Sequence, residues 1–80
     1  MIEKNKGILG KPIYEHRDYV RFRFNGKILD GVIGIIDSYG TMEQNEEPSY
    51  DIEVVGEEIT LYKHIPESQI ICKDRKRRKV

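Results

Sequence analysis

The stretch YVRFRFNGKILD, residues 19–30, decides the fold. Val20, Phe22 and Phe24 alternate with Arg21 and Arg23, the period of a strand with one buried and one wet face. Asn25-Gly26 follows at once. A two-residue type I′ turn needs positive φ at both central positions, and this pair adopts it at little cost. Counting back from such a turn sets the register: Phe24 faces Lys27, Phe22 faces Leu29 and Arg21 faces Asp30. Phe22–Leu29 is then a core pair, and Arg21–Asp30 an ion pair on the wet face.

The second strand continues as KILDGVIGIID, residues 27–37, with Gly31 and Gly34 inside it. Glycine within a strand marks a bulge or a sharp bend, which is how a small sheet folds over itself. Residues 41–49 form a polar loop, TMEQNEEPS. SYDIEVV then alternates Tyr50, Ile52 and Val54 against Asp51 and Glu53. Gly56-Glu57 reads as a tight turn with glycine first. EITLYKHI returns with Ile59 and Leu61 on one face and Thr60, Tyr62 and His64 on the other. Pro66 to Gln69 fits one turn of 3₁₀ helix, because proline pre-sets φ and lacks an N–H that the turn would not use. Ile70-Ile71-Cys72 makes a last short strand. No helical period of useful length and no internal repeat is present.

At 80 residues the chain is a single small domain with a small core. It divides into an arm or edge strand over 1–17, a barrel over 18–72 and a disordered basic tail over 73–80. Gly7, Gly10 and Pro12 break up the apolar pairs of the arm. The single cysteine, Cys72, permits no intrachain disulfide and fits a reducing cytoplasm. No apolar run approaches the roughly 18 residues of a membrane span, and the N-terminus lacks the apolar core of a signal peptide. These features point to a soluble cytoplasmic protein.

The formal net charge of zero hides segregation. Residues 1–29 carry a net +4, residues 30–72 a net −9 and residues 73–80 a net +5. An acidic middle repels a phosphate backbone and steers basic protein partners. A basic end contacts phosphates through counterion release, or serves only to keep the chain soluble.

The element order resembles the SH3-like small β-barrel of about five strands, with one 3₁₀ turn near residues 66–69. His64-Ile65-Pro66-Glu67-Ser68-Gln69-Ile70 looks like the end of SH3 domains, where an apolar residue and a proline open the turn before the last strand. Gly31-Val32-Ile33-Gly34-Ile35-Ile36-Asp37 looks like the glycine-bearing strand of KOW and Tudor-type barrels. The run from Ser49 to Ile70 resembles small bacterial proteins of phages and mobile elements. Eukaryotic SH3 domains bind proline-rich peptides through an Ala-Leu-Tyr-Asp-Tyr stretch and a tryptophan. This chain has neither, so that function does not carry over.

No catalytic constellation is legible, and no cofactor is implied. His16, His64 and Cys72 lack the paired spacing of metal ligands, so no metal is expected. Cys72 reads as a small hydrophobe at a strand end, and acids on alternating strands default to the solvated face. Tyr39, Tyr50 and Tyr62 either pack with wet hydroxyls or form a recognition surface.

The reading is therefore a non-catalytic binding module whose partner is a protein, basic in character. Its candidate contacts are Tyr39, Glu46, Glu47, Tyr50, Glu57, Glu58 and Tyr62. An antitoxin- or immunity-type protein capping a basic nuclease site is one concrete version. The alternative is a nucleic-acid-binding accessory protein using Arg21, Arg23, Lys73, Arg75, Lys76, Arg77, Arg78 and Lys79. No membrane partner is expected, and an exposed sheet edge permits a homodimer by strand addition.

Overall fold

The computed structural model of the chain describes residues 7–74. It is all-β, with five antiparallel strands: β1 (Tyr19–Phe24), β2 (Lys27–Asp37), β3 (Ser49–Val55), β4 (Ile59–Pro66) and β5 (Ile70–Lys73). One 3₁₀ turn, Glu67–Gln69, joins β4 to β5. Its preceding residue, Pro66, sits at φ −65, the value its ring imposes.

The first hairpin has the register that counting from its turn requires. Arg21 pairs with Asp30, Phe22 with Leu29 and Phe24 with Lys27. Asn25 and Gly26 both lie at positive φ, 50 and 80. The strands form one sheet in the order β4-β3-β2-β1-β5. Among the described residues no ladder joins β4 to β5, so the sheet curves without closing into the expected barrel.

Two glycines of β2 act differently. Gly34 is the extra residue of a bulge: Ile33 pairs with Ile52 and Ile35 already with Asp51. Gly31 is buried against β3, where a Cβ would come 2.6 Å from the Glu53 carbonyl oxygen. No side chain fits that close approach.

One face of the sheet carries the core: Val20, Phe22, Ile33, Tyr50, Ile52, Ile65 and Ile70. Tyr62 packs edge-to-face on both Phe22 and Phe24, at centroid distances of 5.7 and 4.9 Å. Such aromatic contacts add roughly 0.5–1.5 kcal/mol each beyond their buried area.

β4 departs from simple alternation. Ile52 pairs with Tyr62 but Tyr50 pairs with Ile65, so three steps along β4 match two along β3. His64 absorbs the extra residue at φ 60, and its N–H donates to Asp51 Oδ1 at 3.0 Å. The bulge lets Tyr62 and Ile65 both reach the core while Ile59 and Leu61 face solvent. The turn between β3 and β4 also differs from the expectation. Val55 pairs with Ile59, leaving the three residues 56–58 as the loop, and Gly56 is not at positive φ.

The described part of the arm, residues 7–17, joins the domain. Gly10 N–H donates to Ser38 O, Arg17 N–H to Ile33 O, and Ile33 N–H to Asp18 O. Tyr14 packs edge-to-face on Tyr50 at 5.7 Å. At the other end, Lys73 belongs to β5 and pairs with Val20, and the Asp74 N–H donates to Tyr19 O. The expected disordered tail therefore does not begin at residue 73, and its remainder, 75–80, lies outside the described residues.

Candidate functional site

Three acids are buried, and each holds backbone; of these only Asp51 stands on a strand, where alternation would place it in water. Glu67, 2% exposed, lies under the arm at the start of the 3₁₀ turn. Its Oε2 accepts the Tyr50 hydroxyl at 2.5 Å and the Ile13 N–H at 3.0 Å. The Tyr50 oxygen in turn accepts the Tyr14 N–H at 3.3 Å. Glu67 Oε1 is buried without a hydrogen-bond partner among the described residues, and Gly7 lies against it with no room for a side chain. Burial pushes the Tyr50 phenol well above its ordinary pKa, and the bond to Glu67 adds to the rise. Tyr14 is raised as well, by burial first and then by the Glu67 charge.

Glu47 is the second buried acid. Its Oε1 accepts the Ser68 N–H at 2.8 Å and its Oε2 the Ser68 hydroxyl at 2.9 Å. The 41–47 loop is thereby tied to the 3₁₀ turn. Gln44 organises the loop itself, its Oε1 accepting the Glu46 and Glu47 N–H groups. Asp51, 6% exposed, is the third. It stands on β3 between the Gly34 bulge of β2 and the His64 bulge of β4.

These placements correct the candidate protein-binding set. Tyr50 is a core residue, Glu47 is consumed by Ser68, and Tyr62 is half-buried against two phenylalanines. Tyr50 and Glu47 have no exposed side chain to offer a partner, and Tyr62 keeps only part of its own accessible. Tyr39, Glu46, Glu57 and Glu58 are exposed. They do not form one surface. Tyr39 and Glu46 lie near the start of β3, and Glu57 and Glu58 at its far end, roughly 20 Å away along the strand. The Tyr39 ring covers Gly10 of the arm.

The candidate nucleic-acid set fares differently. Arg21 is held by two acids: Nε to Asp30 Oδ1 at 2.8 Å, and Nη2 to Asp74 Oδ2 at 3.3 Å. Its guanidinium is committed within the fold. Lys73 lies 3.6 Å from Asp18, and Arg23 is exposed. Arg75, Lys76, Arg77, Arg78 and Lys79 lie outside the described residues. Cys72 is exposed rather than packed, opposite Arg21 on the outer face of the sheet.

The surface that sequence reading missed is apolar. Val55 is 69% exposed, Ile59 65% and Leu61 46%. Val55 and Ile59 are cross-strand partners, and Leu61 pairs with Glu53. The three therefore share the outer face of the β3–β4 hairpin with exposed Glu53, and exposed Glu57 and Glu58 lie in the loop that closes the hairpin. The signal was present in the alternation of EITLYKHI, but which face turned inward depended on the His64 bulge.

The same outer face brings together Asp37, Asp51 and His64. One ligand atom from each lies within 4.8 Å of the others. They come from three neighbouring strands, so no local spacing announces them. Among the described residues no helix is long and apolar enough to cross a membrane. No protein family, curated protein or solved structure matches the chain.

Proposed function

We propose that the protein is a non-catalytic protein-binding module that engages a basic partner through the outer face of its β3–β4 hairpin. The observation that carries this reading is the exposed trio Val55, Ile59 and Leu61 on an edge hairpin, with Glu53 beside it on the same face and Glu57 and Glu58 in the adjoining loop. An apolar centre with a charged surround is the anatomy of a protein interface. The acids would steer a basic partner and fix its orientation, and the apolar side chains would supply the buried contact. Glu47 and Glu67, both bound to structural partners, support a binding role over acid–base chemistry. The order of hairpin, bent strand, hairpin, 3₁₀ turn and short strand supports an SH3-like reading of the fold. The single exposed thiol, Cys72, supports a reducing cytoplasmic location.

The test compares the full chain with two variants in partner capture: Ile59→Lys with Leu61→Lys, and Glu57→Lys with Glu58→Lys. A discrete protein partner lost by both variants, but kept by a chain ending at Asp74, supports the reading. Fluorescence anisotropy with labelled duplex DNA and single-stranded RNA is the opposing arm. Tail-dependent nucleic-acid binding that persists at physiological salt, with no hairpin-dependent partner, overturns it.

A further inference from the structure

We propose that Asp37, Asp51 and His64 form a binding site for a first-row divalent cation of the Zn²⁺ type. The donor set is two carboxylates and one imidazole, with ligand atoms no more than 4.8 Å apart. Metal bonds of about 2.1 Å place tetrahedral donors about 3.4 Å apart. The exposed His64 side chain can swing to supply that contraction.

The backbone is arranged around this point. Asp51 is the β3 residue opposite both bulges, one carrying Gly34 on β2 and the other His64 on β4. Bulges re-aim side chains and concentrate next to functional sites. One Asp51 oxygen holds the His64 N–H, which fixes the backbone that presents the imidazole. The other oxygen can serve a cation.

A second observation concerns the same face of the sheet. Ser49 is fully buried, and its hydroxyl has no hydrogen-bond partner among the described residues. It precedes Asp51 by two residues, which puts both on one face of β3. Its cross-strand partner is Asp37. A buried hydroxyl without a partner costs free energy, and a cation or its bound water on this face would satisfy it.

The donor chemistry selects among metals. Ca²⁺ and Mg²⁺ favour all-oxygen shells, whereas an imidazole suits Zn²⁺ and its first-row neighbours. Three protein ligands leave a coordination position open to water or to a side chain of another molecule. The proposal does not depend on the hairpin surface, and its test is separate.

The test is calorimetric titration of the full chain with Zn²⁺, with Co²⁺ absorption as a report on coordination and Mg²⁺ as the hard-cation comparison. His64→Asn removes the imidazole while keeping a residue that tolerates positive φ, and Asp37→Asn removes a carboxylate. His16→Asn and Cys72→Ser are controls for the other soft donors. One equivalent of Zn²⁺ is expected, weakened more than about tenfold by each site variant and unchanged in the controls. Should a site variant fail to fold, NMR of the unaltered chain decides, since Zn²⁺ must shift the His64 imidazole resonances and leave those of His16 in place. Four results overturn the proposal: no binding at millimolar Zn²⁺, binding that follows His16 or Cys72, Mg²⁺ affinity equal to that of Zn²⁺, or unshifted His64 resonances.

Discussion

The Tyr50 hydroxyl donates to the Glu67 carboxylate across a fully buried contact, joining the first half of β3 to the 3₁₀ turn. The same pair receives the arm through the N–H groups of Ile13 and Tyr14. Removing the hydroxyl leaves a buried charge with one donor fewer. Tyr50→Phe should therefore lower stability by about 1–3 kcal/mol. Urea unfolding measures it, and amide exchange at Ile13 and Tyr14 should quicken. A loss below about 0.5 kcal/mol, the level of an ordinary surface change, would show that the network carries no weight.

The same contact predicts an alkaline limit. The Tyr50 phenol has a folded pKa raised above the ordinary value of 10, mainly by burial. Its neutral form is favoured in the fold, so the contribution is complete below about pH 10. It is lost as pH rises from there towards the folded value, because the unfolded chain releases the proton first. Stability should fall above pH 10, and Tyr50→Phe should reduce that slope. Tyrosinate absorbance followed alongside circular dichroism checks it: the Tyr50 component should appear only as the fold is lost.

Two glycines with similar backbone angles should respond differently to alanine. Gly26 lies at φ 80 with nothing within 4 Å of where an alanine Cβ would stand. Gly40 lies at φ 75, where a Cβ would come 2.3 Å from the Gln44 carbonyl oxygen. Gly26→Ala should cost only the conformational strain, about 1 kcal/mol. Gly40→Ala adds a backbone clash and should cost clearly more, with the 41–47 loop displaced. Thermal melts of the two variants compare them directly.

The acidic loop should divide by role, not by charge. Glu47→Ala removes both acceptors of Ser68 and should cost about 1–3 kcal/mol, since bonds to a charged group are involved. Glu43→Ala, at an exposed position, should stay within about 0.5 kcal/mol. Equal effects would mean that the Glu47–Ser68 contact does not hold the turn.

Local sequence rules reached as far as local geometry. Asn25-Gly26 fixed the first register, and Arg21–Asp30 followed by counting. Pro66 marked the 3₁₀ turn because its ring sets φ. Alternation failed at β4, where one extra residue at His64 moves Ile65 to the core side while Tyr62 remains there. Nothing in a single strand reveals a bulge that is stabilised by Asp51 on its neighbour. The buried acids were illegible for a related reason: Glu47 and Glu67 are held by Ser68 and Tyr50, partners supplied by the fold and not by spacing. The same holds for Asp37, Asp51 and His64, which meet only after three strands have paired.

The central claim is that the β3–β4 outer face meets a protein. A photo-crosslinking side chain placed at Ile59 in living cells tests it most directly, with one at Met42, almost fully exposed on another loop, as the comparison. A protein interface on this face gives a discrete protein adduct from position 59, absent from position 42 and lost when Glu57 and Glu58 are reversed to lysine. Equal adducts from both positions, or a nucleic-acid adduct that depends on residues 75–80, would contradict it.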